Sequence, residues 1–398
     1  MMGFRPRNQE SFDSRYVDGL RGLASLAVAI FHTSLYIGLA GTAAGKLPQL
    51  FWFTRNGYLG VPIFIVLSGF VLMIPVARNT EYKFPKGLKT YFFRRFKRIV
   101  PPYWAALILS LILIYSVPVM QTQSGTKWDD KLPVTWDAIV GHFLLIQDFV
   151  GGSIKINGPL WTVALEWQIY FIFALIMLPL WRFIGKWATL AIVSLVTLGP
   201  SIVTVVYSST GKLKSLFSLA SMIESKHIHQ WYVLLFALGM LAAELAGNSR
   251  LKGRGLWLPS VLAFGYIFYD PSFGERNKAA VEVLIGLSVA LLLVWLAKNG
   301  RNFVNRFLSS KPMLELGNMS YSIYLMHSPL LALGNLLLLP LAFSAGIQAT
   351  LMYLVVLPLA LVISRAFHVL IERRFMNTHQ KELVTAGLVG LAKKAKPE

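Results

Sequence analysis

Apolar runs of about 17 to 25 residues, long enough to cross a bilayer as helices, recur along this chain and are separated by short polar or basic stretches. They fall at residues 17–39, 57–76, 99–119, 159–181, 187–207, 230–246, 255–270, 279–297, 320–340 and 346–370. The pattern predicts an all-α polytopic membrane protein with about ten transmembrane helices. An eleventh apolar stretch, Trp136 to Val150, has 15 residues and carries Asp137, His142 and Asp148. It reads as a short span, a re-entrant piece or a helix lying at the interface.

Basic residues decide between these counts, because short cytoplasmic loops retain positive charge. If 136–150 does not cross, 26 Lys and Arg lie inside and 10 outside; if it crosses, the count becomes 17 to 19. The asymmetry selects ten spans with both termini cytoplasmic. Charged residues make up 14% of the 398, against roughly 25% in ordinary soluble domains, which excludes a soluble enzyme. The net charge of +20 is then a feature of loops, and no nucleic-acid partner is expected. With no cysteine, disulfides, thiolate nucleophiles and Cys-ligated metals are excluded. A single membrane domain is expected over 1–376, followed by a basic cytoplasmic tail at 377–398. Residues 1 to 16 are polar and the first apolar stretch is long, so no cleavable signal is expected.

The first span holds Asp18, Arg21 and His32, and ionisable groups at membrane depth read by default as a pathway or a site. At about 100° per residue, Arg21, Ser25, His32 and Tyr36 all fall within about 60° of Asp18, so the five share one face. His32 lies about 21 Å along the axis from Asp18, too far to pair within the helix. Another helix must serve it, and Glu166, roughly 10 Å deep from the outer face, is the sequence candidate. A carboxylate on one imidazole nitrogen fixes the tautomer and leaves the other free to take a hydroxyl proton.

The densest basic loop ends in Arg94-Arg95-Phe96-Lys97-Arg98-Ile99-Val100-Pro101-Pro102-Tyr103. Arg95 and Arg98 share a face where the chain enters the membrane, and their forks suit the phosphates of a ligand or of anionic lipid. His327, in Tyr321-Ser322-Ile323-Tyr324-Leu325-Met326-His327-Ser328-Pro329, precedes a proline that frees a backbone carbonyl. It is either substrate-lining or a packed bend. Glu282, Asp148 and His142 are weaker cases near membrane ends, and His227 and His229 read as outward loop residues. Scattered histidines and the absence of HExxH or a Gly-rich phosphate loop give no metal site.

Five motifs in order resemble the membrane acyltransferase type 3 family, bacterial integral membrane O-acyltransferases that modify surface and secreted glycans. They are Arg15-Tyr16-Val17-Asp18-Gly19-Leu20-Arg21-Gly22 followed by His32; Gly60 to Phe70; the Arg95 to Tyr103 segment; Trp161-Thr162-Val163-Ala164-Leu165-Glu166 with Tyr170; and Tyr321 to Pro329. The likeness closes at Leu370-Ile371-Glu372-Arg373-Arg374-Phe375, where many members carry a proline beside the last aromatic. It implies transfer of acetyl from cytoplasmic acetyl-CoA to a carbohydrate hydroxyl on the far side of the membrane. It also implies that His32, Asp18 and Arg21 correspond to the family's first-helix residues, and Arg95 and Arg98 to its basic motif. Members with an appended extracytoplasmic hydrolase-like domain exist; this chain is expected to act without one.

The resulting expectation is that Arg95 and Arg98, with Arg94 and Arg21, hold the CoA phosphates, while His32 is the base, Glu166 orients it or relays its proton, and Asp18 is grouped with these two as catalytic. Ser68 and Tyr324 are candidates for steadying the oxyanion, and Ser25, Tyr36, Trp161, Tyr170 and His327 for lining the cavity. Direct attack and an acyl-His32 intermediate both remain open, as do succinyl or longer donors. The expected partners are acyl-CoA, a carbohydrate or glycoconjugate acceptor and membrane lipid, with the protein in the bacterial inner membrane. The rival class is a transporter of a lipid or glycan.

Overall fold

The computed structural model describes residues 15–79, 81–150, 152–213, 216–218, 220, 230–269, 278–300 and 302–376. His227, His229 and the tail at 377–398 lie outside them. The described residues are helical with no strand. Principal helices are α1 (Arg15–Leu35), α2 (Pro48–Ala77), α3 (Gly87–Ser116), α4 (Trp136–Leu144), α5 (Leu160–Phe183), α6 (Lys186–Thr210), α7 (Trp231–Gly247), α8 (Leu258–Tyr269), α9 (Lys278–Lys298), α10 (Ser320–Leu341) and α11 (Ala345–Phe375). Seven of these are long and apolar enough to cross a membrane: α2, α3, α5, α6, α9, α10 and α11. Each of the ten segments predicted from hydropathy contains a helix, although the one expected at 255–270 is helical only over Leu258–Tyr269. Gly253 and Gly255, at φ 69° and 75°, hold the chain out of helix just before it. The 136–150 stretch is α4 followed by a short turn of helix at Gln147–Val150, broken where Leu145 takes φ 55°. Nine helical residues reach about 14 Å, well short of the hydrocarbon core.

The described chain forms two compact units interleaved in sequence. One gathers 61–88 and 168–307 with the start of α1. In it α2 and α7 touch backbone to backbone: a Cβ on Gly69 would stand 2.1 Å from the Phe236 carbonyl oxygen, and one on Gly239 2.1 Å from that of Val66. Small residues permit this approach, which is the main source of helix adhesion where lipid removes the hydrophobic drive. Glu282, fully buried on α9, accepts a hydrogen bond from the Trp231 indole at 2.7 Å.

The other unit comprises 18–60, 89–167 and the chain from 308. It is built around α1. A Cβ on Gly57 would stand 2.2 Å from the Ala27 carbonyl oxygen, and one on Gly317 2.1 Å from that of Asp18. α1 is therefore clasped at mid-length by α2 and at its start by the short helix Lys311–Asn318.

Prolines shape three of the helices. In α5 and α11 the turns Phe173–Met177 and Met352–Val356 widen to π-helix just before Pro179 and Pro358. A proline supplies no N–H to the carbonyl four residues back and crowds it, and the wider turn absorbs the mismatch. In α10, Pro329 orphans the Leu325 carbonyl, and the Asn157 amide donates to that oxygen at 2.9 Å while also reaching Ser110 at 3.1 Å. The bend beside His327 is thereby satisfied by a loop residue from outside the helix.

Because Gly317 meets backbone, Gly317→Ala should destabilise the protein by about 1–3 kcal/mol and lower its melting midpoint in detergent. Gly346→Ala, where a Cβ meets nothing within 4 Å, should leave the midpoint unchanged.

Candidate active site

All of the strongest sequence candidates except Ser68 and Tyr170 fall in the α1-centred unit. His32 sits one turn from the end of α1 and its Nδ1 donates to the Val28 carbonyl at 2.9 Å. His327 repeats the arrangement on α10, with Nδ1 donating to the Ile323 carbonyl at 2.8 Å. A carbonyl oxygen only accepts, so each neutral ring carries its proton on Nδ1 and a lone pair on Nε2. The rings meet edge to face with centroids 4.9 Å apart at 67°. Nε2 of His327 is sealed and has no hydrogen-bond partner, whereas His32 is only half-buried and its Nε2 stays reachable.

The partner of His32 differs from the one expected. No carboxylate hydrogen-bonds to it among the described residues; its neighbours are Val28, Phe31 and His327, with Lys131 and Lys127 acting on it electrostatically. Glu166 instead acts on Tyr91, Tyr321 and Tyr324. The reason lies in side-chain reach. Four residues earlier on the same face of α5, Thr162 donates to the Tyr324 hydroxyl, and Tyr324 packs 5.8 Å from His327. The Glu166 field therefore falls on the tyrosines, and a chain of contacts runs from Thr162 through Tyr324 and His327 to His32.

Beyond His32, the Tyr36 hydroxyl is 2.8 Å from that of Ser328. The end of α1 is then pinned by Asn335, which accepts from Gly38 N at 2.8 Å and donates to Gly38 O at 3.0 Å. Ser25, lower on the stripe, is buried and spends its hydroxyl on the Gly22 carbonyl at 2.9 Å. Trp161 is half-buried at the start of α5. Ser68 is buried in the other unit, where Tyr170 packs against Phe236 at 6.3 Å.

A second cluster forms at the opposite end of α1. Arg21 lies 3.9 Å from Asp18, and Arg98 also acts on that carboxylate. Arg98 reaches Glu372 at 2.6 Å, and Glu372, fully buried, accepts from His368 Nδ1 at 2.8 Å and from the Ser322 hydroxyl. The Arg98 guanidinium lies 5.7 Å from the centre of the Tyr321 ring, whose hydroxyl donates to the Ile99 carbonyl at 2.9 Å. Arg98, expected on a ligand phosphate, is therefore committed to a buried carboxylate. Arg94 is exposed and Arg95 half-buried. Asp18, grouped with the catalytic residues from its sequence context, belongs to this cluster and not to the imidazole.

Sequence reasoning passed over three members of these clusters. Glu372 stood in plain view as an acidic residue among apolar ones at the end of a span. Lys131 and Lys127 were counted only as outside charges, although such charges are scarce there. Among the described residues no group of three or more His, Asp or Glu side chains could hold a metal ion.

The chain matches the acyltransferase domain over residues 14–369. It is 20% identical over 351 residues to the peptidoglycan O-acetyltransferase OatA of Listeria monocytogenes, covering 80% of this chain and 49% of that protein. It is 25% identical over 334 residues to the acyltransferase MdmB of Streptomyces mycarofaciens, covering 80% and 79%. With the O-acetyltransferase OatA of Staphylococcus aureus the figures are 24% over 340 residues, covering 83% and 53%. The chain spans about half the length of the two OatA relatives. No solved structure matches. Since the domain match runs across both structural units and nearly the whole sequence, the chain belongs to this membrane acyltransferase family.

Proposed function

We propose that the protein transfers an acetyl group from acetyl-CoA, bound at the cytoplasmic end of α1, to a carbohydrate hydroxyl that enters from the outer face. The observation that carries this reading is the reachable Nε2 of His32, held as a lone pair because Nδ1 is committed to the Val28 carbonyl. The hydroxyl oxygen attacks the thioester carbonyl carbon while its proton passes to Nε2. The carbon–sulfur bond then breaks, and the imidazolium returns the proton to the departing thiolate. A relative named for O-acetylation of peptidoglycan, and a second named an O-acetyltransferase, support a glycan acceptor. The charge asymmetry of the loops supports cytoplasmic termini, and the reading places the protein in the bacterial inner membrane, where cytoplasmic acetyl-CoA is at hand.

At the donor end, Arg95 with Arg94 and Arg21 supplies the charge for CoA phosphates. Arg98 and Glu372 hold that end together, and Asp18 keeps Arg21 on the α1 face. His327 and Tyr324 are positioning residues: they set the His32 ring, and Glu166 acts through the tyrosines beside it.

Two experiments test this division of labour. In proteoliposomes given radiolabelled acetyl-CoA and peptidoglycan fragments, His32→Ala should lower ester formation by about 10²–10⁴-fold without changing yield or melting midpoint. Near-normal transfer by that variant would reject the base, and a wild-type protein that moves glycan across the membrane without forming ester would reject acyl transfer.

Arg95→Ala should raise KM for acetyl-CoA about tenfold, the loss of one charge-assisted contact, with little change in melting midpoint. Glu372→Gln should act oppositely, lowering stability by about 1.5–3 kcal/mol because half-buried Arg98 loses its charged partner and keeps only the Asp18 field. If Glu372→Gln melts like the wild type, the ion pair does not hold the donor end together.

A further inference from the structure

At the outer end of the α1-centred unit stands a lysine that the proposed chemistry does not use. Lys131 is only 7% exposed, and its stem lies over Gly158 so closely that a Cβ there would stand 2.8 Å from Nζ. Gly158 lies two residues before the start of α5. The loop that carries Lys131 is built firmly: Trp128 is fully buried and donates its indole N–H to the Met120 carbonyl at 3.0 Å. Ile156 N donates to the Lys131 carbonyl at 3.3 Å, and the Lys155 ammonium donates to the Leu132 carbonyl.

The neighbouring charges are already spent. Lys127 pairs with Asp130 at 2.6 Å, and Asp129 accepts from the backbone of Ser124 and Gly125. The Lys131 ammonium makes no hydrogen bond or ion pair among the described residues, yet it is not one of the sealed atoms. Burial lowers its pKa to about 8; Asp130 opposes that shift, while Lys127 and Lys155 add to it. The group therefore stays charged at neutral pH. Lys131 also acts electrostatically on the His32 ring. An ammonium whose stem is buried, whose tip stays accessible and which no protein oxygen binds is placed to take the oxygens of an anion from outside.

We propose that Lys131 is an anion-binding anchor for the acceptor, taking a carboxylate or phosphate oxygen of an acidic glycan and so presenting the neighbouring hydroxyl to Nε2 of His32. The inference rests on the reading of His32 as the base on the acceptor side, and it adds the class of substrate: an acidic glycan is preferred over a neutral one. An anionic lipid headgroup carries the same chemistry and is separated by the test.

The test needs neither donor nor acceptor. The chain has no cysteine, so iodoacetate and iodoacetamide can be directed at His32 and the modification read peptide by peptide by mass spectrometry. In zwitterionic phosphatidylcholine nanodiscs, the full-length protein should be modified at His32 about tenfold faster by the anionic reagent than by the neutral one, after correction for their reactivities with free imidazole. Lys131→Gln should abolish that preference and Lys131→Arg should keep it. An unchanged iodoacetamide rate in both variants serves as the check that the site is intact.

Equal rates for the two reagents in the wild type, a preference that survives Lys131→Gln, or no modification of His32 at all would each overturn the proposal. So would a preference that disappears when phosphatidylglycerol is added to the nanodiscs, which assigns the ammonium to lipid. Anion preference without acetyl transfer would reject the reaction but keep the anchor. Transfer without anion preference would reject the anchor alone.

Discussion

Two backbone carbonyls, each one helical turn behind a histidine, set the chemistry available to this protein. At membrane depth no bulk water completes the hydrogen bonds of a polar side chain, so its partner has to come from the protein. Val28 and Ile323 provide it for His32 and His327. Each bond fixes a tautomer through a neutral acceptor, with no carboxylate hydrogen-bonded to the ring. The two helices then need to be held so that one Nε2 is sealed and the other reachable, and the packing of α1 and the bend of α10 accomplish that. Asn157 completes the bend by taking the carbonyl that Pro329 leaves without a donor.

The opposite end of α1 obeys the same constraint with formal charges. Arg98 would be an expensive residue at the rim of the hydrocarbon, and Glu372 balances it inside the protein, itself steadied by His368 and Ser322. A buried pair of this kind adds little net stability, because desolvation consumes most of the attraction, yet losing one partner is severe. Its value is positional: it ties the start of α3 to the end of α11 beside Asp18 and Arg21. Among the loop arginines, Arg98 is thus the one that organises the end of the bundle.

Helix positions were legible in the sequence because hydrophobic length is a direct physical requirement for crossing a bilayer, and each predicted segment contains a helix. The polar stripe on α1 was legible for the same reason, since 3.6-residue periodicity puts Asp18, Arg21, Ser25, His32 and Tyr36 on one face whatever the helix packs against. Partners across helices were not. Depth alone suggested Glu166 for His32, but depth says nothing about rotation, and rotation turns Glu166 toward the tyrosines. Glu372 and Lys131 were hidden because their significance comes from partners far away in sequence: Glu372 pairs with Arg98, and Lys131 acts electrostatically on the His32 ring. Charge counting had recorded Lys131 only as one of the outside charges.

A neutral carbonyl behind the His32 ring also bears on the proposed reaction. In the familiar arrangement of a carboxylate behind a histidine, the anion stabilises the imidazolium and fixes its tautomer together. Here the Val28 carbonyl fixes the tautomer alone, and the nearest formal charges, Lys131 and Lys127, are positive. The imidazolium formed during attack on the thioester is consequently not trapped by an ion pair, and its proton passes readily to the thiolate as the carbon–sulfur bond opens. An anionic acceptor seated on Lys131 would offset part of the adverse charge at the moment the proton arrives. Acceptor binding and proton transfer would then be coupled through one charge, which gives a physical reason for an ammonium whose field reaches the base.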